Sequence, residues 1–284
     1  MKKRIVSALI VIAIILSLYY IKINFYNETP EMVTDYSQLK AHFIDVGQGD
    51  SCFIELPNGE NMLIDSGESK YADTVTNYIS ELGYSSIDYL VATHGDSDHI
   101  GSLYKVFEEF DIKSCYTSVT PSKTKTYQKF CDAVDAEGIE LKKPLSNEML
   151  IDEQYLDVKV VGPDKEYKDT NDASVVLLVS FYEYDFLFTG DAPYEVLENY
   201  NIGDIEVLKA SHHGSRTGVS DELIEELSPE YSVISAGKDN KYGHPHAETL
   251  KLLSQSEIYI TAECGDIVAV CSSKSISFST EKEY

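Results

Sequence analysis

Between an apolar run at residues 87–92 and the pair Ile100-Gly101 lies Thr93-His94-Gly95-Asp96-Ser97-Asp98-His99, where four metal-ligating side chains fall within six residues. A segment that builds a core has no use for so many imidazoles and carboxylates. They are the donors that hold zinc, manganese or iron at hydrolytic centres. Alternate spacing lets His94 and Asp96 serve one ion while Asp98 and His99 serve a second. The fold must therefore deliver the end of a buried strand to an open polar site. Without a metal the same stretch is a polar turn in which Asp98 caps a helix and the histidines are solvated.

Apart from His42, the histidines form three groups: His94/His99, His212/His213 and His244/His246. Each group follows an expected strand or sits in a loop marked by glycine or proline, so the three are expected to converge. Between the first two, an apolar strand ends in Thr189-Gly190-Asp191, which aims a carboxylate at the same place. Asp191 is a candidate bridge between two ions, or alternatively a turn residue or helix cap. Ser211-His212-His213-Gly214-Ser215-Arg216 adds two imidazoles, a hydroxyl and the only arginine outside the N-terminal segment. A planar bidentate donor suits a phosphate group, with Ser215 completing the cradle; alternatively Arg216 pairs with a surface acid. Tyr242-Gly243-His244-Pro245-His246 offers two further imidazoles to bind a phosphate oxygen or protonate a leaving group, unless it is a solvated turn.

Residues 5–21 carry no charge and follow Lys2-Lys3-Arg4, at the short end for a bilayer-crossing helix. No small-x-small cleavage pattern follows, so an uncleaved anchor over 1–23 is expected rather than a signal peptide, although cleavage would make the protein secreted. With the basic cluster kept inside, the rest of the chain faces outward. Residues 24–38 read as a tether and 39–284 as one globular domain. The formal net charge of -25 sets a repulsive field against nucleic acid, against which Lys123 to Lys129 forms a local basic strip or merely a solvated helix start. The five cysteines show no C-x-x-C spacing and read as buried apolar residues.

Alternation and turn signals predict strands at 42–46, 51–56, 61–64, 87–92 and 113–118, with helices at 71–82, 102–110 and 126–137. A second β-rich half follows, with strands at 156–161, 174–182, 185–189, 207–210 and 231–235 and further strands from 258. Its helices are expected at 195–200, 220–227 and 247–255. Two mixed halves of this kind suggest two sheets packed face to face with helices outside.

Taken in order, Phe43-Ile44-Asp45-Val46-Gly47-Gln48-Gly49-Asp50, Leu63-Ile64-Asp65-Ser66-Gly67, the loop from His94 to His99, Thr189-Gly190-Asp191, the stretch from Leu208 to Ser215 and Tyr242 to His246 resemble the metallo-β-lactamase-fold domain of ComEC-type competence proteins. The resemblance implies an α+β, four-layered αββα sandwich with a two-metal site at one edge. It implies His94 and Asp96 on one ion, Asp98 and His99 on the other, Asp191 bridging and one of His212 and His213 closing the second site. His212 is the expected ligand, although the pattern leaves the pair open. The family's usual histidine before the Gly-Asp strand is missing and Asn171 stands near its place. An oxygen-rich site of that kind favours manganese more than a full histidine set would.

The expected function is a membrane-anchored, outward-facing hydrolase of phosphoesters using two divalent ions, Zn or Mn. Asp98, His213 and His244 are the candidate catalytic residues; Ser215, Arg216 and His246 are the candidate substrate ligands. The resemblance implies single- or double-stranded DNA as substrate. A small phosphodiester, such as a phosphorylcholine ester, needs no long basic track. A third possibility is a non-catalytic, metal-stabilised binding module.

Overall fold

A computed structural model describes residues 37–118, 121 and 123–283. The expected membrane helix, and the tether apart from its last two residues, lie outside the described residues. Among the described residues no helix is long and apolar enough to cross a membrane.

Strand β1 (Leu39–Phe43) pairs antiparallel with β2 (Cys52–Glu55), which turns through Pro57-Asn58-Gly59 into β3 (Asn61–Ile64). The short strands β4 (Ser86–Ile87) and β6 (Asp111–Ile112) pair with each other, while β5 (Tyr89–Ala92), β7 (Cys115–Thr117) and β8 (Leu141–Lys142) extend the first sheet in parallel from β3. The second sheet opens with antiparallel β9 (Met149–Asp152), β10 (Leu156–Gly162), β11 (Val176–Phe181) and β12 (Tyr184–Phe188). It continues in parallel through β13 (Val207–Lys209), β14 (Tyr231–Ile234) and β15 (Glu257–Ile260). Finally β16 (Ile267–Cys271) returns to the first sheet beside β1, with β17 (Ile276–Thr280) at the edge.

Period-two alternation sorts the apolar side chains into three layers. Ala41, Phe43, Ile54 and Ile64 face Val158, Val179 and Phe186 between the sheets. On the outer face of the first sheet, Phe53, Leu63 and Leu90 meet α1 (Ala72–Glu81), α3 (Leu103–Glu109) and α4 (Lys125–Glu137) through Val75, Ile79, Val106, Phe107 and Phe130. On the outer face of the second, Val176, Leu187 and Leu208 meet Leu223 and Leu227 of α6 (Asp221–Leu227) and Leu253 after α7 (Ala247–Leu252). Each fully buried leucine or phenylalanine contributes roughly 1.5–3 kcal/mol. The layering is the expected αββα sandwich. Each of the two large sheets is antiparallel in one part and parallel in another. Parallel neighbours need crossover segments, and the outer helices lie in several of those crossovers.

Two local differences bear on the site. The stretch expected as a plain loop contains one helical turn, α2 (Ser97–Ile100), which begins after Asp96 in extended conformation. The helix expected at 195–200 is the shorter α5 (Tyr194–Leu197). All five cysteines are free thiols, and four of them are buried.

Parallel strands β3, β5, β12, β13 and β14 all release their chains at C-terminal ends, where Asp65, His94, Asp191, His212-His213 and Ser235 emerge. Carboxyl ends of parallel strands are where α/β sheets place ligands. Here both sheets contribute to one edge.

Candidate metal centre

Three buried imidazoles and one buried carboxylate form the floor of this edge. His94 and His99 lie with ring centroids 4.0 Å apart, and His213 is 5.2 Å from His99. Asp191 sits among them: its Oδ1 is 3.3 Å from His99 Nε2, and its Oδ2 is 3.9 Å from His94 Nε2 and 3.6 Å from His213 Nε2. Asp98 adds an oxygen 3.5 Å from His213 Nε2. The Nε2 atoms of His94, His99 and His213 and Oδ1 of Asp191 are buried without a hydrogen-bond partner. Leaving such atoms unpaired costs about 1–3 kcal/mol each, so their convergence marks a place built to receive a ligand. One atom each from Asp50, His99, Asp191 and His213 lies within 4.8 Å of the others. Mixed imidazole and carboxylate donors at this spacing fit a divalent ion.

A second layer of contacts fixes the rings. Asp65 Oδ2 lies 2.7 Å from His99 Nδ1 and accepts from the Thr93 hydroxyl at 2.6 Å, while its Oδ1 accepts from Thr93 N at 2.8 Å. The Thr93 hydroxyl also lies 3.1 Å from His94 Nδ1. His213 Nδ1 faces the Ser235 carbonyl at 3.0 Å and Asp50 Oδ1 at 3.1 Å. Every Nδ1 is thus engaged from behind, which turns each Nε2 toward the shared space; this is how ligating histidines are usually oriented. Asp50 is held in turn by Lys209, whose Nζ lies 2.8 Å from Oδ2 although the lysine is almost wholly buried. Because Asp50 reaches His213 from the Nδ1 side, it lies behind the ring and supports it.

The backbone is shaped to match. Gly49 has φ +144, and a Cβ there would come within 2.4 Å of the Asp98 carbonyl, so only glycine lets the Asp50 loop close on the ligand turn. Asp50 N donates to that carbonyl at 3.1 Å. His212 and His213 both adopt left-handed conformations, with φ 50 and 54, a strained arrangement that costs on the order of 1–3 kcal/mol per residue. It is held by His212 N donating to the Gly190 carbonyl at 3.2 Å and by the Ser211 hydroxyl donating to the Ala192 carbonyl at 2.5 Å.

Charge follows geometry. Burial alone would raise the Asp191 carboxyl, but His213, His99 and His94 outweigh it and hold it well below the usual range. Burial would lower His99, yet Asp191 and Asp65 carry it well above its ordinary value. His213 goes the same way, to about 10, under Asp191 and Asp50. His94 goes the other way, to about 4, through burial and the neighbouring His99.

The structure brings His94, Asp98, His99, Asp191 and His213 together. Asp96 sits at the outer lip, half exposed, with Oδ2 3.9 Å from His94 Nε2 and the Thr170 hydroxyl donating to its Oδ1 at 3.3 Å. The order within the histidine pair differs from expectation: His213, expected to act on substrate, is the buried member. His212, expected as the ligand, is partly exposed with Nε2 3.7 Å from Asp191. His244 lines the rim, its ring 5.7 Å from His212 and 6.4 Å from His213, and His246 stacks edge-on against it at 4.8 Å. Burial and the surrounding imidazoles, His213 foremost, pull His244 down to about 4.

Ser215 and Arg216 do not join the floor. The Ser215 hydroxyl lies 3.1 Å from that of Thr217, and the Arg216 guanidinium is 61% exposed beside Glu248 at 3.7 Å. Asn171 meets its neighbours through its backbone, its N–H donating to Asp169. The strip at Lys123 to Lys129 is a helix start: Thr124 caps α4 and accepts from Tyr127 N, and Lys129 lies over the Tyr104 ring. Asp50, Asp65, Thr93 and Lys209 were not singled out as site residues from the sequence. Asp65 carries a readable signal, a lone carboxylate ending an apolar strand before Ser66-Gly67.

The chain matches the family model of the metallo-beta-lactamase superfamily over residues 44–238. It is 28% identical over 247 residues to ComE operon protein 3 of Bacillus subtilis (strain 168), covering 79% of this chain and 32% of that protein. It is also 28% identical over 237 residues to Competence protein ComA of Neisseria gonorrhoeae, covering 78% and 30% respectively. The chain thus spans about a third of the length of these relatives. Among solved structures, YhfI of Bacillus subtilis, a metallo-beta-lactamase fold protein, superposes with a TM-score of 0.54 at 10% identity, over 86% of this chain and 100% of that one.

Proposed function

Because the chain belongs to the metallo-beta-lactamase superfamily of metal-dependent hydrolases, we propose that its site cleaves phosphodiesters, with nucleic acid as substrate. The observation that carries this is the set of buried Nε2 atoms of His94, His99 and His213, none with a hydrogen-bond partner, gathered around Asp191. His94, Asp96 and Asp191 would hold one divalent ion; Asp98, His99, Asp191 and His213 would hold a second, with His213 replacing His212 as the ligand. Such ions, zinc or manganese, supply a water of lowered pKa and neutralise charge on a phosphoryl oxygen.

The chain's own residues do the rest. Asp65, Thr93 and Asp50 fix ring orientation from behind, so little reorganisation is needed when charge develops. Asp98, its carboxyl held below the usual range chiefly by His213 against its burial, would orient a water with the oxygen that does not hold the ion. His244 is neutral at ordinary pH and serves as a hydrogen-bond donor to a phosphoryl oxygen, not as a proton donor. His212 and His246 complete the rim. The relative named as a competence protein favours DNA, and the apolar stretch at 5–21 supports a membrane-anchored, outward-facing arrangement. The strong net negative charge of -25 favours a smaller phosphodiester as the second reading.

The test is cleavage of single-stranded DNA, duplex DNA and a chromogenic phosphodiester by the manganese- or zinc-loaded full chain. DNA cleavage supports the nuclease. Turnover of the small diester alone supports the second reading, and no turnover with metal bound points to a binding module.

A further inference from the structure

We propose that the pocket of about 510 Å³ beside His244 binds a single nucleic-acid strand and leads it to the metal centre, an inference that rests on the phosphodiesterase reading above. Its walls come from the Gly47-Gln48 turn, from Lys70-Tyr71 and from the 237–242 loop. The pocket adjoins the site directly. Gln48 receives the Gly237 N–H at 3.3 Å, and its Nε2 lies 3.5 Å from His244 Nδ1. The Tyr242 ring stacks on His244 at 5.5 Å and 24°, and His244 is the rim imidazole next to His213.

The loop is built to present its side chains outward. Asn240 holds it from within: its Nδ2 donates to the Gly237 and His244 carbonyls, and its Oδ1 accepts from Tyr242 N at 3.1 Å and His244 N at 3.0 Å. That leaves Lys238 and Lys241 exposed and Tyr242 51% exposed. Lys70 and Lys282 at the same pocket are paired with Glu68 and Asp45, at 2.9 and 3.8 Å. Lys238 and Lys241 have no carboxylate partner among the described residues, although exposed Asp239 lies between them and the Lys241 Nζ lies over the Tyr242 ring, 4.8 Å from its centroid. Two such lysines on one ordered loop stand out in a chain of net charge -25.

Lysines without a carboxylate partner beside an exposed aromatic ring are the elements that bind single strands, the cations meeting phosphates and the ring stacking a base once the Lys241 ammonium moves from it to a phosphate. A duplex keeps its base faces stacked and cannot offer one to Tyr242. The volume falls within the range of small-molecule sites and admits a nucleotide unit. One stacked base and two phosphate contacts would place the next phosphodiester toward His244 and the floor.

The test is fluorescence anisotropy of a short labelled oligothymidylate on the full chain in chelator, where nothing is cleaved, beside cleavage by the manganese-loaded chain. Lys238→Ala/Lys241→Ala is expected to weaken binding roughly ten-fold and to reduce the salt slope by about 1.4, two phosphate contacts at about 0.7 each. Lys238→Arg/Lys241→Arg should restore both. Tyr242→Ala should weaken binding roughly ten-fold while Tyr242→Phe retains it. Unchanged binding in both alanine variants, or no binding by the parent chain, overturns the proposal. An oligonucleotide that is bound through these residues yet never cleaved supports the pocket and defeats the nuclease reading.

Discussion

Among the described residues two buried histidine–carboxylate clusters stand in contrast, one closed and one open. His42, nearly fully buried, is closed on both sides: Nδ1 lies 3.0 Å from the Tyr78 hydroxyl and Nε2 lies 3.0 Å from Glu55. Glu55 is closed as well, receiving Lys40 at 3.1 Å and Tyr84 at 2.9 Å. At the strand ends, His94, His99 and His213 are also buried and held at Nδ1, yet their Nε2 atoms make no hydrogen bond. Burial of a histidine beside an acid is therefore no sign of a metal. What separates the clusters is whether polar atoms are left over and aimed at one another.

The sharpest way to break this contrast is Asp191→Ala, which removes the carboxylate shared by all three rings. Metal affinity should fall well over 100-fold, beyond the roughly 10–100-fold typical of outer-layer changes, as read by metal content after dialysis. Glu55→Gln should leave metal content unchanged. Should Glu55→Gln strip metal as well, the two clusters would not be independent. Next comes Asp65→Asn, which loosens His99 and Thr93 without touching an open Nε2; metal affinity or activity should drop by about 10–100-fold. Loss no greater than that of a surface change would remove Asp65 from the site.

The closed cluster should reveal itself through acid instead. Burial would raise the Glu55 carboxyl, but hydrogen bonds from His42, Tyr84 and Lys40 bring it from 4.5 to about 2. In that window the unfolded chain binds more protons than the folded one, so stability is present above about pH 4.5 and is lost as pH falls toward 2. Urea midpoints should show this loss in the parent chain and a shallower slope in Glu55→Gln. An identical slope would show that Glu55 is not the group responsible. The smallest effect belongs to Arg216→Ala: an exposed pair with Glu248 is worth about 0–1 kcal/mol, so stability should barely move. A large loss of oligonucleotide cleavage would instead show that the guanidinium swings into the site.

Much of the floor was legible because its ligands are concentrated. Four donors within six residues, a Gly-Asp at a strand end and a histidine pair survive as local patterns whatever the tertiary packing. The αββα layering was equally legible, since period-two alternation fixes which face of each strand is buried. The supporting residues were not, because their roles depend on distant contacts: Asp50 and Lys209 meet across 159 positions of sequence. The choice between His212 and His213 was also closed to the sequence, since both neighbours carry the same ring and only the paired left-handed backbone decides which one turns inward. The resting position of Arg216 was hidden for the opposite reason. A long exposed side chain goes where a surface acid is near, and composition alone places no acid.

Hydrolysis at this edge depends on a metal held around Asp191. The most direct measurement is the initial rate of chromogenic phosphodiester cleavage by the manganese-loaded full chain and by Asp191→Ala, assayed in parallel with and without chelator. The expected rate is one that chelator abolishes and that the variant lacks at every metal concentration. A rate that survives chelation, or that Asp191→Ala retains, would contradict this dependence.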